Sequence, residues 1–263
     1  MSAPTDSETP EQQVSTGCYV YGIAPADLEA TSDARGVGDP PGKVSIVRHD
    51  QIAALVSDID LGGPLGTPED LLAHQQLLDA AASEVPVLPM RFGAVMTDPE
   101  AVKEELLAPH HDEFLAALNE LGGRVEYVVK GRYVEEAILS EVLSEVPTAQ
   151  ELRQQLIGQP EDATRNLRIQ LGEIINQAIT AKRDADTAKV VEALSQFAAA
   201  TAVREPTHEQ DAAHVVLLAE LGRQGELEQA LAELGREWEG RVNLRLLGPL
   251  APYDFVVAEA AQQ

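Results

Sequence analysis

Arg124-Val125-Glu126-Tyr127-Val128-Val129-Lys130-Gly131-Arg132-Tyr133 is the stretch from which the fold is read. It alternates as a half-buried strand does, and it follows Gly122-Gly123, which marks a domain boundary. Beyond it, Val134 to about Glu145 reads as a helix and Pro147 to Pro160 as a polar connection. Glu161 to about Ala198 carries Leu167, Leu171, Ile174, Ile175, Ala178 and Ile179 at helical spacing, with a break expected near Lys182 to Thr187. Thr201–Glu205 and His214–Ala219 read as paired strands, Gly225 to about Trp238 as an amphipathic helix through Leu227, Leu231 and Leu234, and Arg241–Leu247 as a last strand. Strand, long helical segment, strand, strand, helix, strand is the split βαβ order of a ferredoxin-like domain.

Working toward the N-terminus, Val85-Pro86-Val87-Leu88-Pro89-Met90-Arg91-Phe92-Gly93-Ala94-Val95 is a short apolar strand that Pro89 interrupts, since proline has no N–H for a ladder. Arg91 stands inside this apolar run, where a charge must be paired. Two readings follow. Either Arg91 is buried with a carboxylate or several carbonyls, or Arg91 and Phe92 are an exposed recognition anchor. On either side the helix signals are strong. Thr67-Pro68-Glu69-Asp70 combines a cap, a proline at the first helical position and a loose capping box, and Leu71, Leu72, Leu77 and Leu78 supply an apolar face as far as Ser83. Thr97-Asp98-Pro99-Glu100 opens a second helix that runs toward Leu121 and that Pro109 should kink or split. Earlier still, Cys18–Ile23 reads as the first strand, Val44–Val47 and Ile52–Ser57 as two more joined by a turn, and Met1 to about Ser15 as a disordered tail. The expected organisation is α+β in two domains: a tail at 1–16, an N-terminal domain at 17–121 with a mixed sheet and helices, a ferredoxin-like variant with an extended helical segment at 122–256, and a tail at 257–263.

The totals narrow the function. At 263 residues with 44% apolar content the chain can bury a core, and with only 4% aromatics that core is built from Leu, Val, Ile and Ala. A net charge of −25 argues against binding nucleic acid or an anionic membrane. The one cysteine, Cys18, forms no internal disulfide and suits a reducing cytoplasm. No apolar run approaches the roughly 20 residues of a membrane helix, and no signal peptide is evident.

Catalytic motifs are missing. Gly36-Val37-Gly38-Asp39-Pro40-Pro41-Gly42-Lys43 has the wrong spacing for a phosphate loop, and Val44 stands where a hydroxyl should hold magnesium. His110-His111-Asp112-Glu113 is the cluster nearest to a metal site, but adjacent helical residues do not share a face. His74 stands alone on its helix, and a zinc pair of His208 and His214 has no cysteine or further histidine beside it. No catalytic, cofactor-binding or metal residue is assigned.

Four stretches occur in one order: Tyr19-Val20-Tyr21-Gly22-Ile23, Val87-Leu88-Pro89-Met90-Arg91-Phe92-Gly93, Glu126-Tyr127-Val128-Val129-Lys130, and Gly248-Pro249-Leu250-Ala251-Pro252-Tyr253-Asp254-Phe255-Val256. From about Gly17 to Val256 the chain resembles the F/L family of gas vesicle proteins. Met90 and Ala251 depart from the family's usual Leu and Pro, and Pro147 to Thr164 matches poorly. The resemblance implies two α+β domains, the second ferredoxin-like, and a non-enzymatic role without cofactors. It implies an accessory or minor structural component of a cytoplasmic gas vesicle that binds the hydrophobic main shell protein and other gas vesicle accessory proteins and assists assembly. The residues expected at a partner surface are Arg91, Phe92, Tyr253 and Phe255, although Tyr253 and Phe255 could equally dock the C-terminal segment on the body. The competing readings are a metal-dependent enzyme using His110, His111 or Asp112, and an acidic protein-binding module with another partner.

Overall fold

β1 (Thr16–Pro25) is the axis of the first unit. The computed structural model describes residues 16–29 and 34–260, without the side chains of 161–162 and 257–260. The expected N-terminal tail before Thr16, and positions 261–263, lie outside the described residues. The chain divides at Gly122/Gly123 into two compact units.

In the first unit β1 is followed by the hairpin of β2 (Val44–His49) and β3 (Ile52–Asp60). Next come α1 (Pro68–Ala82) and the two-residue strands β4 (Leu88–Pro89) and β5 (Val95–Met96). The sheet order is β2-β3-β1-β4, with β5 also on β1. Every pairing is antiparallel, which corrects the expected mixed sheet. The cause is connectivity. β2 and β3 form a tight hairpin, and each pair of strands that runs parallel (β1 with β2, β3 with β4) has another strand inserted between its members. Successive residues of β1 are buried, so the strand is covered on both faces, and both α1 and α3 (His111–Leu121) pack against it.

α1 begins as its sequence dictates. The Thr67 side chain accepts from the Asp70 N–H, the Asp70 carboxylate accepts from the Thr67 N–H, and Pro68 occupies the first turn. Its buried face is Asp70, His74, Leu77, Leu78, Ala81 and Ala82. Leu71 and Leu72 are about half exposed, at 50% and 53%, so they are not part of the expected apolar face. The second helical run is split as Pro109 requires: α2 (Pro99–Ala101) passes into a π-helical turn (Val102–Leu107), and α3 begins afresh at His111. Gly122 in the left-handed conformation ends it, at φ 51°.

The second unit starts with β6 (Arg124–Tyr133). α4 (Glu135–Glu145), α5 (Pro147–Leu156) and α6 (Glu161–Leu194) follow. β7 (Ala200–Val203), β8 (Asp211–Glu220), α7 (Gln224–Glu237), β9 (Val242–Leu250) and α8 (Tyr253–Ala260) complete it. The sheet order β7-β8-β6-β9, with all neighbours antiparallel, is that of a ferredoxin-like domain. The first unit has the same order, read from its own first strand, and the described residues of its first crossover include no helix.

Three local expectations are corrected. Pro147 to Pro160 is mostly helix α5, opened by Pro147 and anchored by buried Ala149 and Leu152. α6 is unbroken for 34 residues. Its polar stretch is held by ion pairs: Lys182 Nζ lies 2.5 Å from Glu141 Oε1 and 2.6 Å from Glu145 Oε2 on α4. Asp186 accepts from the Tyr133 hydroxyl at 2.6 Å and from Arg241 at 2.8 Å. Arg241 also reaches Glu141 at 2.6 Å. Finally, the glycine and first proline of the C-terminal motif do not end the strand. β9 continues through Gly248-Pro249 to Leu250, and the segment after Pro252 is helical.

Candidate functional site: two buried anchors beneath two motifs

The central motif wraps the edge of β1. Leu88 and Pro89 pair with Ile23 and Gly22, and Val95 and Met96 with Tyr19 and Cys18. Between them the chain loops out. The Met90 N–H donates to the Tyr21 carbonyl at 2.8 Å, and the Ala94 carbonyl accepts from the Val20 N–H at 2.8 Å. Gly93, at φ 90°, makes the turn.

Tyr19 of β1 supports this loop from beneath. Gly93 N–H donates to the Tyr19 hydroxyl at 3.0 Å, and that hydroxyl meets His74 Nδ1 at 2.9 Å. Because the phenolic oxygen already accepts from Gly93, its proton points to Nδ1, which puts the ring proton of His74 on Nε2. Burial lowers the His74 pKa, opposed by the Met90 backbone, so the imidazole is neutral. Burial likewise pushes the Tyr19 hydroxyl up to about 12. The Phe92 ring closes the cluster, 5.5 Å from His74 and 5.8 Å from Tyr19 in edge contacts. His74 is therefore a packed core side chain.

Arg91 is exposed, and among the described residues it forms no salt bridge; the reading of a buried ion pair is thereby corrected. The chain turns at Met90, one residue before the charge, so Arg91 lies at the tip of the loop rather than in the strand. Phe92 is half-buried, so an exposed cation and a half-buried aromatic stand next to each other at this loop.

The glycine-rich run 36–43 is fixed by packing. Asp70 Oδ1 accepts from the Gly38 N–H at 2.8 Å, and Oδ2 accepts from the Gly66 and Thr67 N–H groups and the Thr67 hydroxyl, each at 3.0 Å. Burial alone would raise the Asp70 pKa; these donors outweigh it and hold the carboxyl below its ordinary value. The Val37 N–H donates to Tyr21 Oη at 2.8 Å. A Cβ at Gly42 would overlap the Asp58 carbonyl, so this glycine serves close approach to β3.

In the second unit the C-terminal motif is pinned by a buried carboxylate. Glu126, 2% exposed, accepts from the Asp254 N–H at 3.0 Å and from Arg204 at 3.1 Å. Arg204 Nε in turn donates to Asp254 Oδ2 at 2.7 Å. Ala251 and Pro252 are buried, and Gly248 passes over Tyr127 at φ 136°. Tyr253 and Phe255 are half-buried on the first turn of α8. Sequence reading singled out these aromatics but missed Asp254 and Glu126, whose partnership depends on strand register.

His110 meets Glu113 at 3.2 Å, and His111 meets Asp112 at 2.9 Å and Gln51 at 2.8 Å. His208 is exposed at the turn before β8, and His214 is buried on that strand. Among the described residues no group of three or more His, Cys, Asp or Glu is arranged to hold a metal ion, and no described helix is long and apolar enough to cross a membrane.

Comparison with known proteins covers both units. The family description "Gas vesicle synthesis protein GvpL/GvpF" matches residues 17–257. Gas vesicle protein F of Streptomyces sp. (strain CB03234) is 35% identical over 250 residues, spanning 90% of this chain and 98% of that one. Gas vesicle protein L of the same strain is 27% identical over 266 residues, spanning 90% and 91%. The crystal structure of the gas vesicle protein GvpF from Anabaena sp. PCC7120 superposes with a TM-score of 0.74 at 22% identity, covering 92% of this chain and 98% of that one, a likeness of fold.

Proposed function

The chain belongs to the GvpL/GvpF family of gas vesicle synthesis proteins, a structural or accessory family and not one of enzymes, and from that premise we propose that it binds the hydrophobic main shell protein and assists gas vesicle assembly in the cytoplasm. The observation that carries this reading is the match along nearly the whole length of both chains to a gas vesicle protein F. A shell subunit that must present apolar surface to gas aggregates in water unless something covers it. An acidic protein, here with net charge −25, keeps such a complex dispersed. Other gas vesicle accessory proteins are the further partners. Within one Streptomyces strain the F protein is 35% identical to this chain and the L protein 27%, which favours an F-like role.

The surface assigned to the shell protein is the loop tip at Arg91 and Phe92. It is exposed, its cation is free for a partner, and a ring anchored on Tyr19 and His74 holds it in place. Tyr253 and Phe255 are the second candidate, set beside a motif whose Asp254 already serves docking. The test is retention of co-expressed shell protein by the tagged chain across a salt series, with Arg91→Ala and a Tyr253→Ala/Phe255→Ala pair run beside it. Retention at high salt that Arg91→Ala weakens supports the assignment. No retention at any salt refutes direct shell binding, and retention indifferent to Arg91→Ala moves the surface elsewhere.

A further inference from the structure

β9 ends the second sheet, and among the described residues it pairs only with β6. It is nine residues long, against four for β7 at the opposite edge. Lys130 on β6 stands opposite Arg245 on β9, and Arg132 opposite Asn243. Residues opposed in an antiparallel ladder share a face, with Cβ atoms about 5 Å apart. Lys130, Arg132 and Arg245 therefore form one cationic patch on the face away from α7. All three are exposed, and among the described residues none of them forms a salt bridge. The neighbouring carboxylate, Asp211, is occupied by the Thr207 and His208 N–H groups and the Thr207 hydroxyl. α8 is tied down at the other end of this face, at Glu126.

Like charges opposed across a ladder are unfavourable. This chain nevertheless leaves three cations together although it has 44 Asp and Glu against 19 Lys and Arg. On the other face of β9 the character changes. A groove of about 890 Å3 runs along the strand; Leu231 and Ala232 of α7 with Leu244 and Leu246 of β9 form its apolar part, and Glu228, Glu239 and the three cations line it too.

We propose that the free edge of β9 docks an extended segment of a partner protein in which acidic and apolar residues alternate. A strand added there continues the ladder, and its side chains fall alternately on the two faces. One set lies beside Arg245 and Lys130 and is suited by carboxylates. The other lies over the groove between Leu244, Leu246 and α7 and is suited by small aliphatic groups. Cations on an edge also repel unsuitable strands, so the same residues select as well as bind. The proposal does not depend on binding of the shell protein.

The test is fluorescence anisotropy of the full chain with a labelled peptide of alternating glutamate and valine, against one of alternating lysine and valine, at low and high salt. The acidic peptide is expected to bind at least tenfold more tightly, about 1.4 kcal/mol. Lys130→Glu with Arg245→Glu should reverse the preference, with Lys130→Gln/Arg245→Gln as the milder variant and Trp238 fluorescence as the check of folding. Bound acidic peptide should slow amide exchange across residues 242–250. Equal binding or no binding of the two peptides overturns the proposal, as does a preference unaffected by the double variants. Protection at 200–203 in place of β9 overturns it too. So does self-association of the chain that the charge reversal abolishes, because the edge would then serve a second copy.

Discussion

Removing the Asp70 carboxylate should open the first unit from the helix start inward. Asp70→Ala deletes the reciprocal cap of α1, worth about 0.5–2 kcal/mol. It also strips the acceptor from the Gly38, Gly66 and Thr67 N–H groups, which now donate to it at 2.8–3.0 Å. A buried donor left without a partner costs about 1–3 kcal/mol, and some of the three will find water, so the total expected is about 3–5 kcal/mol. Asp70→Asn keeps one acceptor oxygen. It can serve Gly66 and Thr67 or Gly38, not both, and about 1–3 kcal/mol is expected. The sole tryptophan, Trp238, is in the second unit, so the first unit needs a reporter of its own. The assay is therefore urea unfolding followed by hydrogen exchange and mass spectrometry on peptides covering 16–25 and 68–82. The pH dependence has a definite sign. The folded pKa is depressed, so the contribution is complete above the unfolded value of about 3.9 and is lost as pH falls through the lower folded value. The Asn variant lacks that part of the acid transition. If Asp70→Ala costs less than about 1 kcal/mol, the clamp reasoning is refuted.

Arg204→Met leaves the Glu126 carboxylate, 2% exposed, without its cation, and because Arg204 is itself 38% exposed the expected loss is about 2–3 kcal/mol, below the figure for a fully buried pair. Adding Glu126→Gln should recover much of it in Trp238-monitored denaturation; no recovery means the pair is not coupled. Gly248→Ala places a Cβ 2.6 Å from Tyr127 Cδ1 in a φ 136° conformation and should cost more than about 3 kcal/mol; a soluble variant with an unchanged midpoint contradicts this. Phe92→Ala should cost about 1–3 kcal/mol through the Tyr19 and His74 contacts, whereas Arg91→Ala should stay within about 0.5 kcal/mol, both read by exchange in the first unit.

What could be read from the sequence was whatever is local. The cap at Thr67-Pro68-Asp70, the split at Pro109 and the strand order after Gly123 each follow from neighbouring residues and backbone chemistry. What escaped depends on partners distant in the chain. Lys182 and Asp186 look like a helix break until Glu141 and Arg241 are placed against them. α5 buries only Ala149 and Leu152, too little apolar pattern to distinguish it from a linker. Leu71 and Leu72 carry the right side chains on the wrong side of their helix, while the polar Asp70 and His74 hold the buried one. The loop tip was half legible. The charge of Arg91 inside an apolar run was visible, but its exposure follows from the turn at Met90–Gly93, which Tyr19 anchors from far along the chain.

The two sheets are wired alike, and that has a consequence for how the chain tolerates change in length. Between β1 and β2 the connection is the run 26–43; between β6 and β7 the equivalent connection runs 134–199 and includes three helices. In both, the later strands return to the same places beside the first. Length at this joint is therefore decoupled from strand register. The second joint, by contrast, runs 61–87 in one unit and 221–241 in the other, and each carries one α-helix, of 15 and 14 residues. Insertions and deletions among relatives are expected to collect in the first joint of each unit and to spare the second, so that a relative of different length keeps both sheets in step.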